Sequence, residues 1–235
     1  MSELISARMR RRMREHGSSP LLTYYDLDTG ERTELSGISF GNWVDKTSNL
    51  LVDEMLVDAG DEIELAVAEG HPGHWVTLVW TLACWQVGAT VTVGQPSRAR
   101  VVVAGPEWAE HVGVQELVAC SLHPLGLPFS PAVPSGVTDY TLEVRGQSDF
   151  HAAVPQSGLS PAWHDGVRQL TQAELVAGPV GDPVRRLVMP SGDPWTTVRA
   201  AVIEPVLTGG STVIVTGSTG AEELERISAT ERCTA

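Results

Sequence analysis

The hydrophobic positions of this chain follow two patterns, one with the period of a helix and one made of short apolar runs. Apolar residues at helical spacing begin after Ser39, a candidate N-cap. A second apolar stripe begins at Trp75 and ends at Gly88. Helices are therefore predicted after Ser39 and over 75–87, 106–112, 170–177, 194–207 and from Glu222 onward. Strands are predicted over 63–68, 89–93, 100–105, 115–122, 185–190 and 211–216.

Helices and strands that alternate at this spacing indicate βαβ crossovers, which predict an α/β fold of mainly parallel sheet layers flanked by helices. The strands are continuous apolar runs, as expected for sheets covered on both faces. Residues 121–165 interrupt the alternation because they are rich in Pro, Gly, Ser and Asp, and only TLEVRG suggests an isolated strand or hairpin. We therefore expect one α/β domain over 1–235, with possible lobes 20–120 and 166–235 joined by 121–165, its least ordered internal part.

Charge narrows the classes of partner. The formal net charge is −13, which disfavours nucleic acid and anionic membranes as partners. The N-terminus is the exception, with five arginines between Arg8 and Arg14, but no apolar segment follows them. This stretch predicts a short helix whose arginines meet the acidic body of the protein or water, and residues 75–91 are too short and Thr-rich to span a bilayer.

Three cysteines, Cys84, Cys120 and Cys233, are a sparse and odd set without a secretory signal. They predict reduced thiols and a cytoplasmic protein.

Four segments, in order, resemble the N-terminal part of the large domain of adenylate-forming enzymes, the superfamily of acyl-CoA synthetases, peptide-synthetase adenylation domains and luciferases. They read ELSGISFGNWVDKTSNLLVDEMLVDAGDEIELAVAEG, HWVTLVWTLACWQVGATVTV, LTQAEL and VIEPVLTGGSTVIV. The resemblance covers most of 20–230. It implies the family's α/β scaffold and places a phosphate loop ahead of LTQAEL.

The resemblance also implies which chemistry is missing. The family's phosphate loop is a Ser/Thr/Gly-rich turn closed by Pro-Lys-Gly, and here the region reads VPQSGLSPAWHDGVRQLTQAEL. Ser157, Gly158 and Thr171 are the vestigial positions of that loop. Lys46 is the only lysine and lies in the first amphipathic helix, while the planar guanidinium of Arg168 is not equivalent to a compact ammonium.

The family's aromatic-Gly-x-Thr-Glu segment, its ribose-binding Asp and its C-terminal catalytic domain match no residues of this sequence, so no catalytic residue is assigned. We expect a truncated and degenerate, catalytically silent relative that acts as a binding or interaction protein, with a second copy or another protein as its partner. No cofactor is expected. A divergent binder of a nucleotide such as ATP or AMP, or of an acyl ligand, and a half-enzyme completed by a separate partner chain are the alternatives.

Other candidate constellations are weaker. His71 and His74 with Cys84 have the residue types of a zinc site but lack a CxxC or HExxH partner, so no metal is expected. Ser160, His164 and Asp165 cluster with Ser157, yet GxSxG is absent and adjacency in sequence does not assemble a triad.

Two local features remain. The GSTG stretch at 217–220 is predicted to be a turn with a Ser or Thr cap. Tryptophans at helical spacing are expected in the core, whereas those near loop–helix junctions are candidates for exposed aromatic contacts. The first set is Trp75, Trp80 and Trp85, and the second is Trp108, Trp163 and Trp195.

Self-association is the testable expectation. The strand 211–216 needs a cover, and the helix that follows has mainly Leu224 and Ile227 to bury. We therefore expect a symmetric dimer in light scattering coupled to gel filtration. A strict monomer at high micromolar concentration would contradict this and leave the helix as the cover, and deletion of 221–235 would then reduce solubility.

Overall fold

Two β-sheets and the helices that flank them organise the chain. The computed structural model describes residues 3–95, 99–152 and 154–234. The strands are β1 Pro20–Asp26, β2 Glu31–Ser36, β3 Glu62–Glu64, β4 Thr90–Thr92, β5 Val101–Ala104, β6 Leu117–Ala119, β7 Val137–Asp139, β8 Pro161–His164, β9 Gln169–Thr171, β10 Arg185–Val188 and β11 Ser211–Thr216.

The helices alternate with these strands. They are α1 Ile5–His16, α2 Gly37–Asn49, α3 Val67–Gly70, α4 Trp75–Val87, α5 Tyr140–Val144, α6 Gln172–Leu175, α7 Pro194–Val198, α8 Glu204–Thr208 and α9 Ala221–Thr230. A π-helical turn, Leu50–Glu54, extends α2, another, Arg199–Ile203, joins α7 to α8, and Trp108–His111 is a 3₁₀ turn.

The strand order confirms an α/β fold with mainly parallel sheets. One sheet has the order β10-β11-β1-β2 and the other β7-β6-β5-β3-β4-β8-β9. Among the described pairings, only β1–β2 and β8–β9 are antiparallel. The four-stranded sheet combines strands from both ends of the chain, so its pairing runs across the segments 20–120 and 166–235. The division of the chain into lobes stays a prediction.

Helix α4 forms the centre of the core. All its residues are buried, and the indole of Trp85 donates to the carbonyl of Ala162 in β8 at 2.8 Å. Trp75, Trp80 and Trp85 are in the core, as predicted. The helix ends at Gly88, whose φ of +84° is the left-handed conformation that glycine adopts without strain. Among the described residues, no helix combines the length and apolarity needed to cross a membrane.

Several predicted boundaries shift; the helix predicted over 170–177, for example, covers only Gln172–Leu175, because Gln169–Thr171 form β9. Helix α2 is capped by Ser36 and not by Ser39, because the Ser36 hydroxyl accepts from the backbone N–H of Ser39 at 3.1 Å. Both serines precede the apolar stripe, and the pattern alone does not separate them. The strand predicted over 63–68 ends at Glu64, and the chain then turns into α3.

The segment 121–165 contains more regular structure than predicted. Strands β7 and β8 both join the seven-stranded sheet. The interpretation of TLEVRG as a strand was wrong, because Asp139 accepts from the N–H of Thr141 at 3.0 Å and starts α5. Tyr140 and Val144, one helical turn apart, are both buried on one face of that helix. Whether 121–165 is the least ordered internal segment stays a prediction.

The arginines of α1 are largely paired within the protein. Arg10 bonds Asp45, Arg8 and Arg11 both contact Glu3, and the buried Arg12 donates to two backbone carbonyls. The predicted short helix is confirmed, and one of its arginines, Arg10, pairs with a carboxylate of the body of the protein.

Helix α9 covers β11, the strand that was expected to need a cover. Strand β11 is central, between β10 and β1, and its Val213 and Val215 pack against Ile227 and Leu224 of α9. Both edges of β11 are paired, one with β1 and the other with β10, and the alternative in which α9 covers the strand is confirmed. Self-association stays a prediction, and this strand does not require it.

Glu231, just after α9, fastens the helix to the four-stranded sheet. Its side chain is 8% exposed and accepts from Tyr25 at 2.5 Å, from Arg32 at 2.9 Å and from Arg185 at 2.6 Å. These donors come from three different strands, so one carboxylate joins β1, β2 and β10 to the end of α9.

Replacing Glu231 tests this anchor. Glu231→Gln leaves two arginines without their buried carboxylate, so we expect the free energy of unfolding to fall by about 3 kcal/mol. The measurement is urea denaturation. Glu225→Gln, an exposed position on the same helix, serves as control and is expected to change stability by less than about 0.5 kcal/mol. Equal effects of the two variants would contradict the anchoring role.

Candidate functional site

A cleft lies where the carboxyl ends of the parallel strands of both sheets meet, the usual place for ligands in α/β proteins. It has two adjoining chambers of about 530 Å³ each, which share Glu69 and Gly192. The first lies beside the ends of β1, β10 and β11, and the second beside the ends of β4 and β8. The ionisable side chains that line the two chambers are Tyr24, Asp26, Asp28, Glu69, His71, His74, Asp165, Arg168 and Asp193.

The turn between β8 and β9 carries the most informative contacts. One carboxylate oxygen of Asp165 accepts from the backbone N–H groups of Val167 at 3.0 Å and Arg168 at 2.7 Å. The other accepts from the indole of Trp163 at 3.0 Å. Burial opposes ionisation of Asp165, but hydrogen bonds from Trp163, Arg168 and Val167 outweigh it and lower its pKa to about 2. The N–H groups of this turn therefore face an internal carboxylate.

Arg168 is held by two carboxylates. Its guanidinium makes a bidentate contact with Asp193, at 3.0 and 2.6 Å, and a further bond to Asp165 at 2.7 Å. Asp193 immediately precedes α7, so this ion pair ties the β8–β9 hairpin to the loop that follows β10. The positive charge is thereby balanced within the protein.

The loop after β4 repeats the arrangement. The buried carboxylate of Glu64, at the end of β3, accepts from the N–H groups of Gly94 at 2.6 Å and Gln95 at 3.2 Å, and from the hydroxyl of Thr92 at 2.6 Å. Gly94 has a φ of +70°. Successive N–H groups in such turns form anion-binding concavities, and here Glu64 occupies them.

The GSTG segment after β11 is the third such loop. The carboxylate of Asp28 accepts from the N–H of Ser218 at 3.0 Å, and Gly217 adopts a φ of +86°. The predicted turn is confirmed. The predicted Ser or Thr cap was wrong, because Gly220 is the N-cap of α9 and no side chain caps it.

The two histidines of the HPGH loop have separate structural roles. Nδ1 of His74 accepts from the N–H of Val76 at 3.2 Å and caps α4. Nε2 of His71 lies 2.8 Å from the Glu107 carboxylate. Cys84 is buried within α4. Across the described residues, no group of three or more His, Cys, Asp or Glu side chains is placed to hold a metal ion.

His74 is buried as a neutral side chain. Burial is the main cause that lowers its pKa to about 3, with a small contribution from His71. Its ring meets Tyr24 edge-on with centroids 4.8 Å apart, and its Nε2 lies 4.0 Å from the buried carboxylate of Glu31. The floor of the first chamber therefore contains a histidine that resists protonation.

The structure brings the vestigial positions together, but away from the cleft. The carbonyl of Gly158 accepts from the N–H of Ala173 at 2.9 Å, and Thr171 caps α6 with a reciprocal bond to Glu174. Ser157 and Gly158 precede β8, at the opposite end of the strand from the Asp165 turn, and none of the three lines either chamber. Their assignment as remnants of a phosphate loop stays a prediction.

Contacts in the structure show that the candidate triad does not form and that two of the candidate exposed tryptophans are buried. His164 approaches Gln169, while Asp165 bonds Arg168 and Trp163, so no Ser–His–Asp relay forms. The expected exposure of Trp163 and Trp195 was wrong, because both are buried and pack together with ring centroids 5.3 Å apart.

Trp108 is half-buried beside Phe129, with ring centroids 6.4 Å apart. Trp108 therefore exposes less of its side chain for an aromatic contact than the sequence suggested.

Solved structures with this fold include an acyl-CoA synthetase and an acid ligase. Acyl-CoA synthetase from Brucella canis aligns with a TM-score of 0.78 at 17% identity, over 99% of this chain and 46% of that one. The N-terminal domain of FACL13 from Mycobacterium tuberculosis aligns with a TM-score of 0.72 at 14% identity, over 99% of this chain and 62% of that domain. Coronafacic acid ligase from Pectobacterium brasiliense aligns with a TM-score of 0.68 at 11% identity, over 97% of this chain and 48% of that one. The fold is that of the N-terminal part of acyl-CoA synthetases.

One curated relative matches in sequence. It is a TIGR03089 family protein from Mycobacterium tuberculosis, 33% identical over 149 residues, which are 60% of this chain and 58% of that protein. No protein-family model matches the chain. The chain therefore spans little more than half of this relative, and about half of the acyl-CoA synthetase whose fold it shares.

Sequence reasoning missed the acidic lining of the cleft. Asp26, Asp165 and Asp193 lie at or just after strand ends or before a helix, positions that a parallel sheet brings to one edge. Only Asp193, just before the helix predicted from 194, had a signal in the pattern, because the strands that end at Asp26 and just before Asp165 were not predicted. The convergence of the three depends on the strand order.

The buried His74 predicts a pH dependence of stability. Its pKa is lower in the folded chain than the ordinary value of 6.5, so the unfolded chain binds the proton first and stability falls as the pH drops from about 6.5 toward 3. The contribution is at most about 1.4 kcal/mol per pH unit. His74→Asn keeps an N-cap acceptor and removes this titration. Urea denaturation between pH 7 and 5 should therefore show a shallower slope for this variant.

His16→Asn is the control, because His16 is exposed at the end of α1. It should keep the wild-type slope. If His74→Asn and His16→Asn had the same pH dependence, the buried neutral state of His74 would be refuted.

Proposed function

We propose that this chain is a catalytically silent relative of the adenylate-forming enzymes and acts as a binding or interaction protein. The observation that carries the proposal is the Asp165 carboxylate, which takes both N–H groups of the turn after β8. A phosphate bound at that turn would have to displace an ionised side chain whose pKa is about 2.

Electrostatics around the cleft support the same conclusion. Glu64 and Asp28 accept hydrogen bonds from the N–H groups of two further loops. Together with the Asp165 turn, three potential anion sites are thus each occupied by a carboxylate of the protein. The one arginine among the lining residues, Arg168, is balanced by Asp165 and Asp193. A triphosphate entering this cleft would meet mainly like charge, which opposes binding.

The only lysine serves elsewhere. Lys46 donates from α2 to the carbonyls of Arg145 and Gln147 and pairs with Asp149 at 3.1 Å. It does not line either chamber. Under this proposal neither ATP nor AMP is a cofactor, and no metal ion is required.

Binding of another kind is the proposed activity. We place the protein in the cytoplasm, with a second copy or another protein as partner and neither nucleic acid nor membrane as a target. The size of the chambers favours one further candidate, a small uncharged ligand such as an acyl group, because 530 Å³ lies within the range of small-molecule sites.

The test combines activity with binding. ATP–pyrophosphate exchange across a broad panel of carboxylic acids should stay at background for the wild-type protein, and calorimetry with inorganic pyrophosphate should show no binding. The double substitution Asp165→Ala and Asp193→Ala removes the carboxylates that bond the N–H groups of the turn and the guanidinium of Arg168. This double variant should gain weak pyrophosphate binding, with a Kd on the order of 1 mM, since a few charge-assisted bonds form at an exposed site.

The matched control is Asp58→Ala with Asp182→Ala, which removes the same charge at exposed positions outside the cleft. It should not bind pyrophosphate. Wild-type exchange that survives Lys46→Ala would overturn the proposal. Tight ATP binding without exchange would favour the nucleotide-binder alternative, and exchange that appears only with a second chain would favour the half-enzyme.

A further inference from the structure

A strap formed by residues 145–151, between α5 and β8, lies against α1 and α2. Asn49 of α2 holds its middle, because its side-chain amide donates to the carbonyls of Ser148 at 3.0 Å and Phe150 at 3.1 Å. Lys46 holds the first half through the carbonyls described above. Four backbone carbonyls of the strap thus accept hydrogen bonds from side chains of α2.

His151 closes the far end of the strap. Its side chain is 6% exposed, and its Nδ1 lies 2.7 Å from the Oδ1 of Asn49. Since the amide group of Asn49 donates to the strap, its oxygen must accept, so Nδ1 of His151 carries the proton. Nε2 of His151 is then an unprotonated nitrogen, buried and without a hydrogen-bond partner among the described residues.

Charged groups surround His151 from three elements. Arg10 of α1 donates to its carbonyl at 2.6 Å, Asp45 of α2 lies behind Arg10 at 3.1 Å, and Asp53 comes from the π-helical turn. The Lys46–Asp149 pair lies further along the strap. Burial is the main cause that lowers the pKa of His151; Arg10 adds to it, while Asp45 and Asp53 act in the opposite direction.

We infer that the strap is a pH-sensitive latch, docked while His151 is neutral and released when His151 takes a proton. In the docked state, a proton on Nε2 would create a buried donor without an acceptor, beside the positive charge of Arg10. In the released state, water solvates the imidazolium. The docked state is therefore favoured above the ordinary histidine pKa of 6.5, and release grows as the pH falls below it.

Release would change an adjoining groove. A cavity of about 360 Å³ lies between α1 and residues 154–156, just beyond the strap, and Arg10 and Val154 are among its lining residues. Arg10 bonds both the strap and Asp45. Undocking of His151 therefore removes one of the contacts that hold the Arg10 side chain in place at the edge of this cavity.

Hydrogen exchange between pH 7.5 and 5 tests the latch. The protection factors of the Gln147 and Phe150 amides, whose N–H groups bond within the segment 144–150, should fall by up to about tenfold per pH unit below pH 6 in the wild type. In His151→Gln, which does not titrate, they should stay constant. Amides of α4 report global opening and provide the internal reference.

The single lysine gives an independent readout at constant pH. His151→Arg mimics the charged state, so at pH 7.5 it should expose Lys46 and raise its acetylation rate about tenfold over His151→Gln, as measured by peptide mass spectrometry. His16→Arg, with the same charge change at an exposed site, should leave the rate at the wild-type value.

The wild-type exchange series decides the matter even if the arginine variant does not fold. Equal loss of protection in wild type and His151→Gln would overturn the latch, as would protection that stays constant in the wild type. A rise in Lys46 acetylation equal in His151→Arg and His16→Arg would overturn it as well.

Discussion

The parallel pairing of β1 with β11 is the constraint on which the rest of the structure depends. It joins Leu22 to Thr212 and Asp26 to Thr216, so strands from opposite ends of the chain share one sheet. This register sets the carboxyl ends of the two strands side by side, and it places Asp28 within reach of Ser218. The first chamber of the cleft exists because of that alignment. Strand β10 then pairs with the other edge of β11, and helix α9 packs on Val213 and Val215 of β11.

Helix α4 connects this sheet to the rest of the core. Its first turn begins at His74 in the cleft, while Trp85 near its far end bonds β8 of the other sheet. The N-terminus of a helix that is buried on all sides needs a capping group that accepts a hydrogen bond but carries no charge. The neutral imidazole of His74 meets both requirements. The same histidine that suggested a zinc ligand in the sequence is thus explained by the position of the helix.

Local patterns predicted most elements, because periodicity and caps are properties of neighbouring residues. The sequence indicated the α/β class, the helix ended by Gly88 and the paired arginines of α1, and these were confirmed. The Asp-Gly pair at 165–166 was a visible turn signal, but its importance depends on Asp193, which is 28 residues away along the chain. Likewise Glu64 reaches Gly94 only because β3 and β4 are adjacent in the sheet. Contacts of this kind follow from strand order, which the sequence pattern does not specify.

The two sheets also differ in how much chain must be made before each can form. All seven strands of the larger sheet lie between residues 62 and 171, so it is contiguous in sequence. Strand β1, by contrast, finds its β11 partner about 190 residues later. On the ribosome the β1–β2 hairpin must therefore wait with one open edge while the whole larger sheet is synthesised. An open strand edge is prone to pair wrongly. Long-range pairing of this kind also slows folding, so refolding from denaturant should be limited by closure of the small sheet, even though it has fewer strands.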